Sequence, residues 1–162
     1  MAVNIHINIE TIEGMSTVAG FEKQIQVESF SCGMSQVTSF SASKGGGAGK
    51  VNVSDLSIMH MVDKASPKLM LACCTGQHIP KATLTCHKVD GDAGVNFLVI
   101  ELTDLLVSSV SPAGSNHGDT PMESVTLAFA SYKVVYQEQD NKGAKLGGPI
   151  EVKFSVQDNK KL

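Results

Sequence analysis

Apolar and polar residues alternate through much of this chain. Ile5, Ile7 and Ile9 share one side of an extended segment. The sets Ile25 and Val27, then Ala82, Leu84 and Cys86, then Ile150, Val152, Phe154 and Val156, repeat the pattern. A period of two is the signature of a half-buried β-strand, so the chain is predicted to be mainly β. Residues 95–106 differ, because Phe97 and Val99 point one way while Leu98, Ile100 and Leu102 point the other. A strand apolar on both faces needs cover on both faces. In a small barrel the outer face would meet water, so Leu98 and Ile100 are candidates for contact with a second subunit.

The phase of alternation slips twice. After Val27 the apolar set moves to Phe30, Cys32 and Met34, and after Phe129 it moves to Tyr132, Val134 and Tyr136. Such slips mark bulges or bends where a strand passes between sheets. Beyond the first slip the opposite side reads Ser29, Ser31, Gly33, Ser35, a small uncharged stripe suited to solvent or a channel. Residues 39–49, 111–120 and 137–148 read as loops longer than ordinary hairpin connections, and such loops often mediate contacts.

One stretch breaks the strand pattern. Ser66 and Pro67 provide a helix start, and Gly76 provides a left-handed stop, so a short α-helix is predicted over about residues 66–75. Between these signals Leu69-Met70-Leu71-Ala72-Cys73-Cys74 is apolar around nearly the whole circumference. A helix of this kind is covered on more than one side. Its own domain covers one side, and a neighbouring subunit is expected to reach Leu69 and Met70 on the other.

Length and composition narrow the classes. The 162 residues fit a single domain, 1–162, large enough to bury a core without disulfide or metal. The net charge is -3, and all thirteen basic residues are lysine, so the best bidentate reader of phosphate and guanine is missing. Nucleic-acid binding is not expected. Neither is a membrane span, since no apolar run approaches the required ~20 residues. The opening M-A-V-N-I-H-I-N-I-E has no basic n-region and reads as a strand rather than a signal peptide. Cys32, Cys73, Cys74 and Cys86 lie in apolar runs and read as small buried hydrophobes without bridges.

Chemical motifs fail on their details. Gly45-Gly46-Gly47-Ala48-Gly49-Lys50 lacks the earlier glycine and the following Ser or Thr of a phosphate loop, and leads into strand-like V-N-V. Asp90, Asp92 and Glu101 have calcium-loop spacing, but Val95 stands where glycine is needed. His78 and His87 with the nearby cysteines lack paired zinc-ligand spacing. Gly33-Met34-Ser35-Gln36-Val37 is one glycine short of a nucleophile elbow. No catalytic, cofactor or metal site is expected.

A resemblance accounts for what is left. D-K-A-S-P-K-L followed by A-C-C-T-G-Q-H-I-P-K-A-T-L-T-C is similar to the signature of Hcp, the haemolysin-coregulated tube protein of bacterial type VI secretion. Gly49-Lys50-Val51-Asn52-Val53, Leu106-Val107-Ser108-Ser109, Pro121-Met122-Glu123-Ser124-Val125 and Gly147-Gly148-Pro149 match in order, as do Met1-Ala2-Val3 and Gly33-Met34-Ser35-Gln36. The resemblance implies a small β-barrel of two antiparallel sheets with one flanking helix. It implies a structural subunit, not an enzyme, forming hexameric rings that stack into the inner tube. Effectors, a spike protein and a contractile sheath are the implied partners, with export from the cytoplasm and no signal peptide. A tube subunit of a phage-tail-like contractile system and a small-ligand-binding barrel are the alternatives. By resemblance, Lys44, Gly45, Gly46, Gly47 and Lys50 belong to a ring-stacking loop, and Ser29, Ser31 and Ser35 face the lumen. The chain departs from the family in having no tryptophan, where many relatives carry it near Phe30, Cys32 and Phe154.

Overall fold

The alternation resolves into eleven strands and one helix among the residues described by a computed structural model, namely 2–40, 47–90 and 93–162. β1 (Val3–Ile9) pairs antiparallel along its whole length with β7 (Ile79–Asp90). β7 pairs with β8 (Ala93–Ala113), and β8 with β9 (Met122–Tyr136). The 21-residue β8 pairs with β7 from Ala93 to Leu105 and with β9 from Leu98 to Ala113.

Both phase slips coincide with a change of neighbour. β2 (Ile25–Gln26) pairs with β1, yet after Val27 and Glu28 the chain continues as β3 (Ser29–Ser31), paired with β6 (Leu56–Met61). Likewise β9 pairs with β6 as far as Leu127, and from Ser131 with β10 (Ile150–Ser155). At the second switch the Ala130 carbonyl accepts N–H bonds from Val156 and Gln157 at 2.8 and 3.1 Å. A strand that changes ladder must reset which residues face the core, because the pleat fixes a period of two. Lys160–Lys161 forms β11 on the outer edge of β10.

These nine strands make one curled antiparallel sheet, and β4 (Met34–Ser39) with β5 (Gly47–Val53) makes a second sheet of two. Residues 25–31 bridge β1 to β6, but among the described residues no continuous ladder closes the circle. The expected barrel is therefore an open one, and its two sheets are unequal.

Inside lie Ile7, Ile9, Ile25, Leu56, Ile58, Leu84, Leu102, Leu105 and Leu127, all essentially inaccessible. Each such side chain contributes about 1.5–3 kcal/mol relative to exposure. The helix α1 (Ser66–Thr75) lays Leu69 and Ala72 on this core. Pro67 occupies the first turn and Gly76 stops the helix at φ 64°, as its sequence signals require. Ser66 is not the cap, however. It is itself the first helical residue, buried, and its Oγ accepts the Asp63 N–H at 3.1 Å. Asp63 in turn accepts the Ala65 N–H at 2.9 Å, so a short turn before the helix satisfies the local donors.

The cysteines also correct the expectation. Only Cys86 is buried, and burial pushes its thiol up; Cys73 is half-buried, and Cys32 and Cys74 are exposed. All four are free thiols.

His6 is the least obvious core residue. It lies between Ile5 and Ile7, fully buried, with its ring stacked on Phe21 at 4.7 Å. Neither ring nitrogen has a hydrogen-bond partner among the described residues. Burial first, and the nearby His87 second, hold its pKa below the ordinary value. The folded state thus favours the neutral imidazole, whereas the unfolded chain takes up a proton near pH ~6.5. Its contribution to stability is complete above that value and is lost as pH falls through it toward the folded pKa. Thermal melts of wild type and His6→Leu between pH 7.5 and 5, a window in steps of about one unit, should show Tm falling more steeply for wild type. Parallel curves would show that His6 does not carry the dependence.

Candidate functional site

Several chemistry-bearing side chains pair with one another. His78 Nδ1 lies 3.1 Å from Asp104 on an exposed edge. Glu101, the last position of the calcium-like spacing, sits on β8 between Lys81 at 3.2 Å and Lys133 at 3.3 Å. Lys133 also reaches Glu151 at 3.7 Å, and Glu151 meets Lys153 at 3.1 Å. Alternating charges therefore run across β7, β8, β9 and β10 on their outward side. Burial pushes the Glu101 carboxyl up, but hydrogen bonds from Lys81 and Lys133 outweigh it and hold the pKa below the usual value.

The outward side of the other half is entirely different. Cross-strand registers align Ser31 with Ser57, Thr126 and Ser109, and the next row aligns Ser29 with Met59, Ser124 and Ser111. A third row holds Met61, Met122 and Ala113. No side chain in these rows is charged. Hydroxyls bond along the first row, with Ser109 Oγ 2.6 Å from Thr126 Oγ1. Ser29 and Ser31 were legible in the sequence as part of a neutral stripe. Ser35 does not belong to it: beyond Cys32 and Gly33 the chain leaves the large sheet, and Ser35 lies on β4 opposite Asn52. The methionines and Ser57 went unnoticed, although Met59 and Met61 alternate with the buried Ile58 and His60.

Of the residues expected in a ring-stacking loop, the two that are described, Gly47 and Lys50, belong to a paired arm. β4 and β5 pair as a hairpin from Met34 opposite Val53 to Ser39 opposite Gly47. The root is clamped where Ser54 N–H donates to the Gly33 carbonyl at 2.8 Å and the Gly33 N–H donates to Ser54 Oγ at 2.8 Å. A side-chain bond from Gln36 to the Gly49 carbonyl crosses the hairpin at its bulge. Gly47 and Lys50 are exposed on β5; Lys44, Gly45 and Gly46 lie outside the described residues.

The expected subunit contacts divide. Leu69 is 0% exposed and Ile100 6% exposed, so both are spent on the chain's own core and offer a neighbour nothing. The helix and strand turn these residues inward because the core is the nearer apolar surface. Met70 is exposed on α1 beside Leu71, which is 63% exposed. Leu98 is half-buried and stands in register with Tyr136, which pairs in turn with Ile150 at 65% exposure. Ile150 and Val152 thus continue an apolar sheet face past the point where this chain covers it.

This geometry has close counterparts. Residues 6–136 match the model of a family described as type VI secretion system effector, Hcp. The chain is 45% identical over 159 residues to protein hcp1 of Pseudomonas aeruginosa, covering 98% of both. It belongs to the Hcp family. Among solved structures, one described as a type six secretion system protein superposes with a TM-score of 0.93 at 30% identity, over 99% of this chain and 100% of that one. Hcp1 from Salmonella typhimurium gives 0.82 at 33% identity, with 100% of each chain covered.

As an Hcp protein the chain is a type VI secretion component of a structural family rather than an enzyme family. The resemblance read from the D-K-A-S-P-K-L and A-C-C-T-G-Q-H-I-P-K segments therefore holds over nearly the whole chain. Among the described residues no helix is long and apolar enough to cross a membrane.

Proposed function

We propose that this chain is the subunit of a type VI inner tube. Subunits close into hexameric rings through the exposed apolar surfaces of α1 and β10. Rings stack through the β4–β5 arm, and the neutral serine–methionine face lines a lumen that carries effectors. Spike and sheath are the outer partners, and export from the cytoplasm follows. The observation that carries this reading is the pair of uncovered apolar surfaces on different elements, Met70 with Leu71 and Ile150 with Val152. Two different patches suit a heterologous contact, which generates a ring if the rotation between subunits closes. A ring-to-ring contact that does not close propagates instead, giving a tube. Function then follows from shape, with no bond made or broken by the subunit.

Negative-stain micrographs and light scattering of the purified protein test the reading. Rings are expected at micromolar concentration; only a 17.1 kDa monomer would count against it.

The arm is tested separately at Gly47. A Cβ there meets nothing within 4 Å among the described residues, so a bulky side chain harms no contact with them. Gly47→Trp should keep the ring-sized elution volume and the Tm while losing stacked tubes in micrographs. Dissociation to monomers would move the arm to the ring contact.

A further inference from the structure

Residues 13–24 form a strap whose ends meet, and one side chain fastens it to the sheet. Its backbone bonds close on themselves. The Gly14 N–H donates to the Lys23 carbonyl at 2.8 Å, Lys23 to Ser16 at 2.9 Å, Ser16 to Gln24 at 3.0 Å and Phe21 to Val18 at 2.9 Å. A Cβ on Gly14 would strike the Gln24 backbone, so only glycine lets the ends approach this closely. The strap is an Ω-loop, able to swing on its joined ends without giving up its internal hydrogen bonds. Met15 and Val18 are exposed, and the Glu13–Lys64 pair that ties the strap to the turn before α1 is a surface bridge of little strength. Phe21 alone is a buried side chain of the strap, and it lies flat against His6 at 4.7 Å. This contact is on the side of β1 opposite the core residue Ile7.

The surroundings of His6 offer nothing to a charged imidazole. Thr85 stands opposite it on β7 and Gln26 on β2. The Phe21 ring also meets His87 edge-on at 5.2 Å, and His87 Nδ1 lies 2.7 Å from Asn96 Oδ1 on β8. A Cβ on Gly94 would strike the His87 ring, so glycine on β8 gives that ring its place. Glu22 and Lys23 flank Phe21 but are exposed, and Glu101 on β8 is held between Lys81 and Lys133. The histidine–carboxylate pairs among the described residues are those of His60 and His78. Phe21 thus separates two imidazoles that have no paired anion among the described residues. Charging His6 beneath it would bury a cation with two unanswered N–H donors. A charged His87 across the ring adds repulsion, and the pull of a phenylalanine face on a cation is too weak to offset both.

We propose that the 13–24 strap is an acid-opened latch, in which protonation of His6 lifts Phe21 off β1 and swings the strap outward while the sheet stays folded. The latch lies within one chain, so it stands independently of the tube reading. Opening gives the charged His6 water, which is the differential interaction that a two-state element requires. For one proton, the open-to-closed ratio rises by up to about tenfold per pH unit below the ordinary histidine value of ~6.5.

The test uses the full-length protein in its native assembly, labelled with fluorophenylalanine and followed by fluorine NMR. The range runs from about pH 7.5 to about pH 5, where most carboxylates stay charged. The Phe21 signal is assigned by its loss in Phe21→Leu. On acidification it should pass from a buried to a solvent-exposed position, the exposed-to-buried ratio growing by up to about tenfold per pH unit, while the other phenylalanine signals stay in place. His6→Leu cannot take up the proton and should keep Phe21 buried throughout. His6→Gln should do the same, and guards against a leucine that disturbs the stack. Glu13→Gln should stay closed at about pH 7.5, since its surface bridge is not the fastening. A Phe21 signal that remains buried in wild type at the acid end would overturn the inference. So would equal opening in both His6 variants, opening of Glu13→Gln at neutral pH, or all phenylalanine signals moving together.

Discussion

His60→Ala should be among the most damaging single substitutions in the chain, at about 3–5 kcal/mol. His60 and Glu123 face each other in register across β6 and β9, both fully buried, with Nε2 2.9 Å from Oε1. Their remaining polar atoms, His60 Nδ1 and Glu123 Oε2, have no hydrogen-bond partner among the described residues, and a second carboxylate, Asp63, lies 4.0 Å from Nδ1. Removing the imidazole leaves a carboxylate in the core with no donor, and the cost is that of the uncompensated group rather than of the pair. For a domain of this size the Tm should drop by about 10 °C, read by calorimetry. The double variant His60→Leu/Glu123→Leu tests the cause, because it removes both polar groups at once. It should recover most of the loss. If the double variant is as unstable as His60→Ala, packing rather than the orphaned carboxylate is responsible.

Charge placed on either uncovered apolar patch should dissolve the ring. Leu71→Asp and Ile150→Asp alter side chains that are 63% and 65% exposed in the isolated chain, so neither should disturb the fold by circular dichroism. Each should nevertheless elute as the 17.1 kDa monomer, since an aspartate buried against an apolar partner surface finds no counter-charge. The informative step is mixing them. Leu71→Asp retains a working β10 patch and Ile150→Asp retains a working α1 patch, so one of each should join into a dimer that cannot extend. A dimer from the mixture, and from neither variant alone, identifies a contact between unlike patches. Dimers from a single variant would mean that like patches meet, and rings that persist in both would place the contact elsewhere.

Much of the fold was legible along the chain because local rules and tertiary demands agree. The period of two identified the strands, and Pro67 with Gly76 bounded α1 at Ser66–Thr75. The two phase slips located the switches from β1 to β6 and from β6 to β10, because a pleated strand cannot change ladder without resetting its faces. The segments that led to the family were equally local. The misreadings share a cause. Ser35 follows Ser29 and Ser31 in perfect alternation, but Gly33 and Ser54 carry the chain off the large sheet before it is reached. Leu69 and Ile100 were grouped with Met70 and Leu98 by hydrophobicity, which does not show how fully the chain's own core covers each of them.

The sequence by itself determined the β character, the single helix with its limits, the neutrality of residues 29–35 and the family. Those properties depend on periodicity, capping residues and collinear motifs, all carried by neighbours in the chain. Only the tertiary structure decided that β4 and β5 form a separate arm and that Ile150 and Val152 stay uncovered. It also decided that Met59, Met61 and Met122 join Ser29 and Ser31 on one outward face, and that His60 meets Glu123 in the core. Each of these is a relation between strands far apart in sequence, fixed by ladder register. Register is set by burial summed over the whole sheet, and no short window of residues contains that sum.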